Sequence, residues 1–211
     1  MKFKISEKEY AVKLPLTCNA YYDSNFMSDE LSTSLFNWLM SEFDLSKPEE
    51  LEFPDGTRGT ILPWRMMFLE PNLASSKQFP LHHGRRAATC SELEQLRQQI
   101  AQSTGVNLEV AVCLYYPNGE QSLGFHCDLP AFGSTDVIAS ISLGAPREFL
   151  IRANNDHNEQ HSLILEHGSL LVMGKGFQDT YQHALAHGTA DTGPRFNISF
   201  RQFGHAHAAV A

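Results

Sequence analysis

The chain has 211 residues, a hydrophobic fraction of 42%, a charged fraction of 19% and a formal net charge of −8 at pH 7. That length suits one substantial domain with a single core and is short for two. The acidic balance counts against a protein coated in positive potential, and no run reaches the roughly 18 apolar residues that a membrane helix needs.

The opening MKFKISEKEYAVKLP alternates charge with single apolar residues. It lacks the apolar centre of a signal peptide, so it is expected to form a first strand in a cytoplasmic protein. Cys18, Cys90, Cys113 and Cys127 show no CxxC pairing, which argues against a disulfide framework or structural zinc and suits a reducing compartment. From Ser28 onward, Leu31, Leu35, Phe36, Leu39, Met40 and Phe43 recur at helical spacing, with Ser28 as the cap. Residues 47–86 carry Pro48, Pro54, Gly56, Gly59, Pro63, Pro71 and Pro80 and are expected to be irregular loops or short hairpins. Within them, KQFPLHHGRR at 77–86 gathers Lys77, Arg85, Arg86 and two histidines with no acidic residue, either a solvated loop or a local basic groove. A second helix follows Ser91, where Ser91 and Glu94 form a capping-box pattern, Leu93, Leu96 and Ile100 make the stripe, and Gly105 marks the end.

After Gly105 the texture changes to short β-rich runs: EVAVCLYY, LGFHCD, VIASISLG, EFLIR, HSLILEHG, SLLVMG, YQHAL and RFNISFR. About eight strands separated by turn signals predict a sandwich or barrel. Strand alternation in the second run places His126 and Asp128 on one face, with Phe125 and Cys127 on the other. In the last run it places Phe196, Ile198 and Phe200 on one face and Arg195, Asn197, Ser199 and Arg201 on the other. A half-buried strand rarely needs two arginines on its polar face, and such a pair can bracket a small dianion.

A carboxylate and two imidazoles on one face of a metal, with open positions opposite, is the arrangement of non-heme Fe(II) oxygenases. His126 and Asp128 offer two of the three groups, and the third lies among His161, His167, His183, His187, His205 and His207. The last two sit in an Ala-rich tail, and His167 precedes a glycine as a turn residue would. His183 lies on a β-like stretch twelve residues before Arg195, within reach of a neighbouring strand.

HCD, VIASISLGAPREFLIR, LEHGSLLVMGKGFQDTYQHAL and RFNISFR together resemble the AlkB family of Fe(II)- and 2-oxoglutarate-dependent dioxygenases, in the branch that demethylates nucleic acids. The resemblance implies a mainly β fold with flanking helices (α+β), built on a double-stranded β-helix, or jelly roll. It also implies a single domain over 1–211, with residues 91–203 as the catalytic core and 1–90 as an N-terminal extension and nucleotide-recognition lid. His126, Asp128 and His183 become iron ligands and the catalytic centre, and Tyr116, Arg195, Asn197, Ser199 and Arg201 become the 2-oxoglutarate wall. The resemblance also implies Fe(II) as cofactor, 2-oxoglutarate as cosubstrate and O2 as the oxidant.

The implied partner is single-stranded DNA or RNA carrying N-alkylated bases such as 1-methyladenine or 3-methylcytosine, acted on by a monomer with no membrane association. Trp64, Phe79 and His82 are then candidates for stacking on the base, and Arg85 and Arg86 for the phosphates. Two positions depart from the family pattern: Leu114 stands where an asparagine is usual, and Leu129 and Pro130 follow the HxD motif where acidic residues are common. The acidic net charge leaves a protein or small-molecule hydroxylase on the same scaffold as an alternative. A binding module with a vestigial metal site is opposed by the intact ligand and arginine set.

Overall fold

The computed structural model describes residues 11–52, 55–61, 64–75, 85–130 and 133–204. Two sheets face one another, antiparallel throughout except for one parallel pair at the edge of the larger, Met67–Leu69 with Arg86–Ala88. The larger has the order β1-β2-β12-β9-β14-β7-β5-β6 and the smaller the order β11-β10-β13-β8, among the described residues. The strands of the larger sheet are β1 (Val12–Lys13), β2 (Ala20–Asp23), β5 (Trp64–Leu69), β6 (Arg86–Ala88), β7 (Val110–Tyr116), β9 (Ile138–Gly144), β12 (Leu170–Met173) and β14 (Arg195–Arg201). The smaller holds β8 (Leu123–His126), β10 (Arg147–Ala153), β11 (Gln160–Leu165) and β13 (Tyr181–Leu185). Each of the eight β-rich runs read from the sequence supplies one strand of this jelly roll, and the opening run supplies β1 from its described part.

The period-2 pattern of β14 separates two cores. Phe196, Ile198 and Phe200 point outward from the sandwich and are covered by two helices, α1 (Asp29–Glu42) through Leu35 and Leu39, and α3 (Ser91–Thr104) through Leu93, Leu96 and Ile100. Burying each large apolar side chain there contributes about 1.5–3 kcal/mol. The inner core packs Ile138, Phe149, Ile151, Leu171, Met173 and Phe177 between the sheets. Ser28 caps α1 as expected, its Oγ accepting from the Leu31 N–H at 3.3 Å.

The start of α3 differs from expectation. Cys90 is the N-cap, and Ser91 is already helical, its hydroxyl donating to the Glu92 carboxylate instead of closing a capping box. The helix does end at Gly105, whose φ of 72° is the left-handed conformation that glycine enters without penalty.

The 47–86 stretch also needs correction. It contains a hairpin of β3 (Glu49–Glu52) and β4 (Arg58–Ile61), as expected, but β5 is a fully paired strand of the main sheet. Its Met66 and Phe68 enter the helix-side core while Met67 and Leu69 pack in a separate cluster with Val110 and Val112. A strand buried on both faces shows no alternation, which is why WRMMFL between two prolines carried no strand signal. A short helix, α2 (Pro71–Ala74), follows it. No helix among the described residues is long and apolar enough to cross a membrane.

Candidate metal centre and its cavity

His126 ends β8 and faces His183 of β13 in direct cross-strand register, so their rings lie 4.2 Å apart between centroids. The next inward pair is Leu123 with Leu185. Three residues of β8 thus span two of β13, and the extra one is a bulge at Gly124 and Phe125. Bulges re-aim side chains, and this one lets Leu123 and His126 both face inward despite their odd spacing. The Gly124 carbonyl accepts from His126 Nδ1 at 2.8 Å, which leaves Nε2 unprotonated in the neutral ring.

Asp128 lies two residues beyond the end of β8, so strand alternation is not what orients it. Its backbone N–H donates to Gln178 Oε1 at 2.8 Å, from the short helix α4 (Phe177–Thr180). Its Oδ1 receives Arg201 Nη2 from the opposite sheet, and its Oδ2 lies 3.6 Å from His183 Nε2. Burial works against the carboxylate, but the Arg201 guanidinium outweighs it and holds the carboxyl below its usual range. Burial pushes the His183 imidazole down to about 4. Its contact with Asp128 is therefore one of neutral ring with carboxylate and not an ion pair.

One ligand atom each from His126, Asp128 and His183 fall within 4.8 Å of one another, two imidazole nitrogens and one carboxylate oxygen. No other such cluster exists among the described residues. The alternatives raised from sequence are accounted for. His167 Nδ1 accepts from the Gly144 N–H, His187 bridges Glu120 O and Ser122 Oγ, and His161 Nε2 lies 3.6 Å from Glu159. His205 and His207 are outside the described residues.

The trio opens into a cavity of about 520 Å³, counted out to solvent, whose walls include Tyr116, Arg195, Asn197, Ser199 and Arg201. Arg195 is 1% exposed. It donates from Nη2 to Ser142 Oγ at 2.8 Å and from Nη1 to Leu165 O at 3.4 Å, while Nε is buried with no partner among the described residues. Burial lowers its guanidinium to about 10 and raises the Tyr116 hydroxyl, its cross-strand neighbour, to about 12. Both therefore keep their protons at neutral pH: a cation and a phenol donor at the same end of the cavity. Asn197 accepts from Ser140 Oγ at 2.8 Å, and the Ser199 hydroxyl lies 3.4 Å from Val112 O. Leu114, the position that departs from the family, also lines the cavity and adds apolar wall.

Three contributors were not legible in sequence. Arg147 is buried and donates to the carbonyls of Asn118, Gly119, Gln121 and Ala186, fixing the turn that delivers β8. Gln178 seats the Asp128 backbone, and Phe149 stacks on His183 at 5.4 Å. A charged residue opening a strand, or a glutamine after a phenylalanine, carries no local signal of such use.

The candidate substrate contacts are less gathered. Trp64 opens β5 opposite Tyr115, and Arg86 opens β6 at the sheet edge. Arg85 donates to Asp44 O at 3.0 Å and Lys47 O at 3.3 Å, so part of its guanidinium holds the segment after α1. Phe79 and His82 lie outside the described residues.

Replacing Arg201 with Met is expected to destabilise the metal-free protein, because Asp128 would keep its burial and lose its cation. Partners 14% and 10% exposed place the loss toward the lower end of about 3–5 kcal/mol, measurable by urea unfolding. The pair lowers the folded-state carboxyl, so its contribution is present above the ordinary carboxylate range near pH 4 and disappears as pH falls further. The parent–variant gap should accordingly close in acid.

A model of the 2OG-Fe(II) oxygenase superfamily matches residues 19–201. Human alpha-ketoglutarate-dependent dioxygenase alkB homolog 3 is 33% identical over 118 residues, 52% of this chain and 41% of that protein. Human DNA oxidative demethylase ALKBH2 is 32% identical over 118 residues, 52% of this chain and 45% of its own. Uncharacterized protein R406 of Acanthamoeba polyphaga mimivirus is 32% identical over 113 residues, 53% of this chain and 59% of that one. The chain thus spans about half the length of these curated relatives. The solved structure of OsALKBH1 superposes with a TM-score of 0.63 at 16% identity, covering 87% of this chain and 97% of that one, a likeness of fold. With the AlkB resemblance borne out by these relatives and the family match running through both sheets, the chain belongs to the 2OG-Fe(II) oxygenase superfamily.

Proposed function

We propose that the protein is an Fe(II)- and 2-oxoglutarate-dependent dioxygenase that oxidatively demethylates N-alkylated bases in single-stranded DNA or RNA. The observation that carries the reading is one cavity with His126, Asp128 and His183 at one end and the buried, partly unpartnered Arg195 guanidinium at the other. The donor set fits Fe(II), with two imidazoles and one carboxylate leaving the remaining positions open. Bound iron and 2-oxoglutarate would supply the oxidation of a C–H bond by O2, with succinate and carbon dioxide as the other products.

The chain's own residues do the rest. His126 presents Nε2 because Gly124 holds its other nitrogen, and His183 is neutral without having to lose a proton. Arg195 and Tyr116 would bind the distal carboxylate of 2-oxoglutarate, with Asn197 and Ser199 along the same wall. Arg201, already paired with Asp128, would face the iron-bound end and keep that carboxylate ionised. Leu123, Phe149, Leu165 and Leu185 line the cavity with apolar surface that excludes water from the reacting atoms.

Two of the similar proteins carry alkB or DNA-demethylase names, which supports a nucleic-acid substrate, and the single-strand preference follows from the need to bring an unpaired base to a recessed centre. In this reading the protein acts as a monomeric, single-domain enzyme of the cytoplasm, where its four free thiols would persist. The lid function would fall to the β3–β4 hairpin, since β2, β5, β6 and α1 build or cover the main sheet.

Turnover with 2-oxoglutarate, read as succinate and formaldehyde, should rise severalfold with oligonucleotides carrying 1-methyladenine or 3-methylcytosine and stay at background with methylated peptides. Stimulation by peptides alone would move the assignment to the hydroxylase reading.

A further inference from the structure

On the outer face of the smaller sheet, away from the cavity, Arg152 of β10 makes two contacts that meet the metal centre from behind. Its Nε and Nη2 both donate to Gln182 Oε1, at 2.9 and 2.7 Å. Its guanidinium carbon lies 3.9 Å from the centroid of the Phe125 ring. Gln182 immediately precedes His183 and Phe125 immediately precedes His126. In the order β11-β10-β13-β8, Arg152 therefore reaches across β13 to β8, about two strand spacings or roughly 10 Å.

That reach addresses the weakest part of the site. Among the described residues β8 is an edge strand, paired on one side only, through two register positions separated by the bulge. A bulged edge strand has few hydrogen bonds to fix its distance from β13, yet the gap between His126 and His183 is set by that distance. Arg152 supplies the missing constraint: one planar side chain fixes the residue before each imidazole, and its fork holds an amide oxygen while its face covers a ring. Phe125, Arg152 and Gln182 are each half-buried, so the arrangement is packed against the sheet and not waving in solvent.

We infer that Arg152 is a positioning residue for the metal centre, clamping β8 to β13 through Phe125 and Gln182 so that His126 and His183 keep the separation that metal binding requires. The inference rests on the metal reading of the trio given above. The probe is Mn(II), titrated into the metal-free full chain. Arg152→Leu is expected to weaken Mn(II) binding about tenfold, the scale of an outer-shell loss. Affinity for 2-oxoglutarate at saturating Mn(II) should not change, because Arg195 stands on the other sheet.

Gln182→Leu should reproduce the loss, whereas Gln182→Glu, which keeps an acceptor for the guanidinium, should retain the parental affinity. Ser162→Ala on the same outer face serves as the control for general effects and should bind as the parent does. Visible absorption of the Co(II)-loaded Arg152→Leu protein should shift as the ligand geometry loosens. Parental Mn(II) affinity in Arg152→Leu, or equal losses in Gln182→Leu and Gln182→Glu, would overturn the clamp. If Arg152→Leu does not fold, the two Gln182 variants decide. A parent that takes up no Mn(II) while folded brings down the metal reading itself, and this inference with it.

Discussion

Replacing His183 with Ala is expected to abolish metal uptake and turnover while the fold persists. The imidazole is one of three groups in the ligand cluster, and a trio reduced to His126 and Asp128 keeps only two protein donors. The affinity loss should exceed the roughly 10- to 100-fold that removing an outer partner costs, since here a donor itself is gone. Phe149 and Phe177 pack against the ring, so the variant also leaves a small cavity, worth about 2–4 kcal/mol by analogy with large-to-small core changes. Circular dichroism and thermal unfolding would register that cost separately from metal binding, followed by Mn(II) titration. His187→Ala and His167→Ala should leave metal binding intact, because each ring is engaged with backbone atoms elsewhere. Metal binding that survives in His183→Ala and fails in either of those would refute the ligand assignment.

The second large effect is at the other end of the cavity. Arg195→Lys should weaken 2-oxoglutarate binding by about 10- to 100-fold, one charge-assisted hydrogen bond at roughly 1.5–3 kcal/mol, and leave Mn(II) affinity unchanged. A guanidinium already spending Nη2 on Ser142 and Nη1 on Leu165 still has N–H groups to offer a carboxylate in a fork. A lysine ammonium that satisfies the same two oxygens has one donor left and no plane. Calorimetry of the Mn(II) form with 2-oxoglutarate reads the difference directly, and unchanged affinity would remove Arg195 from that role.

Local patterning carried the half of the molecule that holds the site. The eight late strands were legible because each is bounded by turn residues and β14 alternates strictly, which also sorted Arg195, Asn197, Ser199 and Arg201 onto the cavity face. His126, Asp128 and His183 were legible as residue types, but their convergence was not. The bulge at Gly124 and the Gln178 contact that orients Asp128 are products of folding, with no counterpart in local spacing. β5 was lost because burial on both faces erased its alternation, and β2 because four residues are too few to show a period. The Ser91 cap failed by one residue, an error that the pattern alone could not resolve. Arg147 and Arg152 were invisible as anchors, since their partners lie 26 to 39 and 27 to 30 residues away.

The two walls of the cavity differ in how easily they can open. β14 is hydrogen-bonded to β7 along its whole length and to β9 along nearly all of it, so exposing its amides requires breaking ladders on both sides. Among the described residues β8 has a neighbour on one side only. In a folded protein such an edge detaches by sub-global opening at far lower free energy than a central strand, whose amides are released only as the whole molecule unfolds. The wall that carries Arg195 therefore outlasts the edge that carries His126. A metal ion could leave through transient detachment of Leu123–His126 with Arg195 still in place, and the site could be refilled without refolding. Metal exchange and global stability would then be separate quantities, governed by different strands.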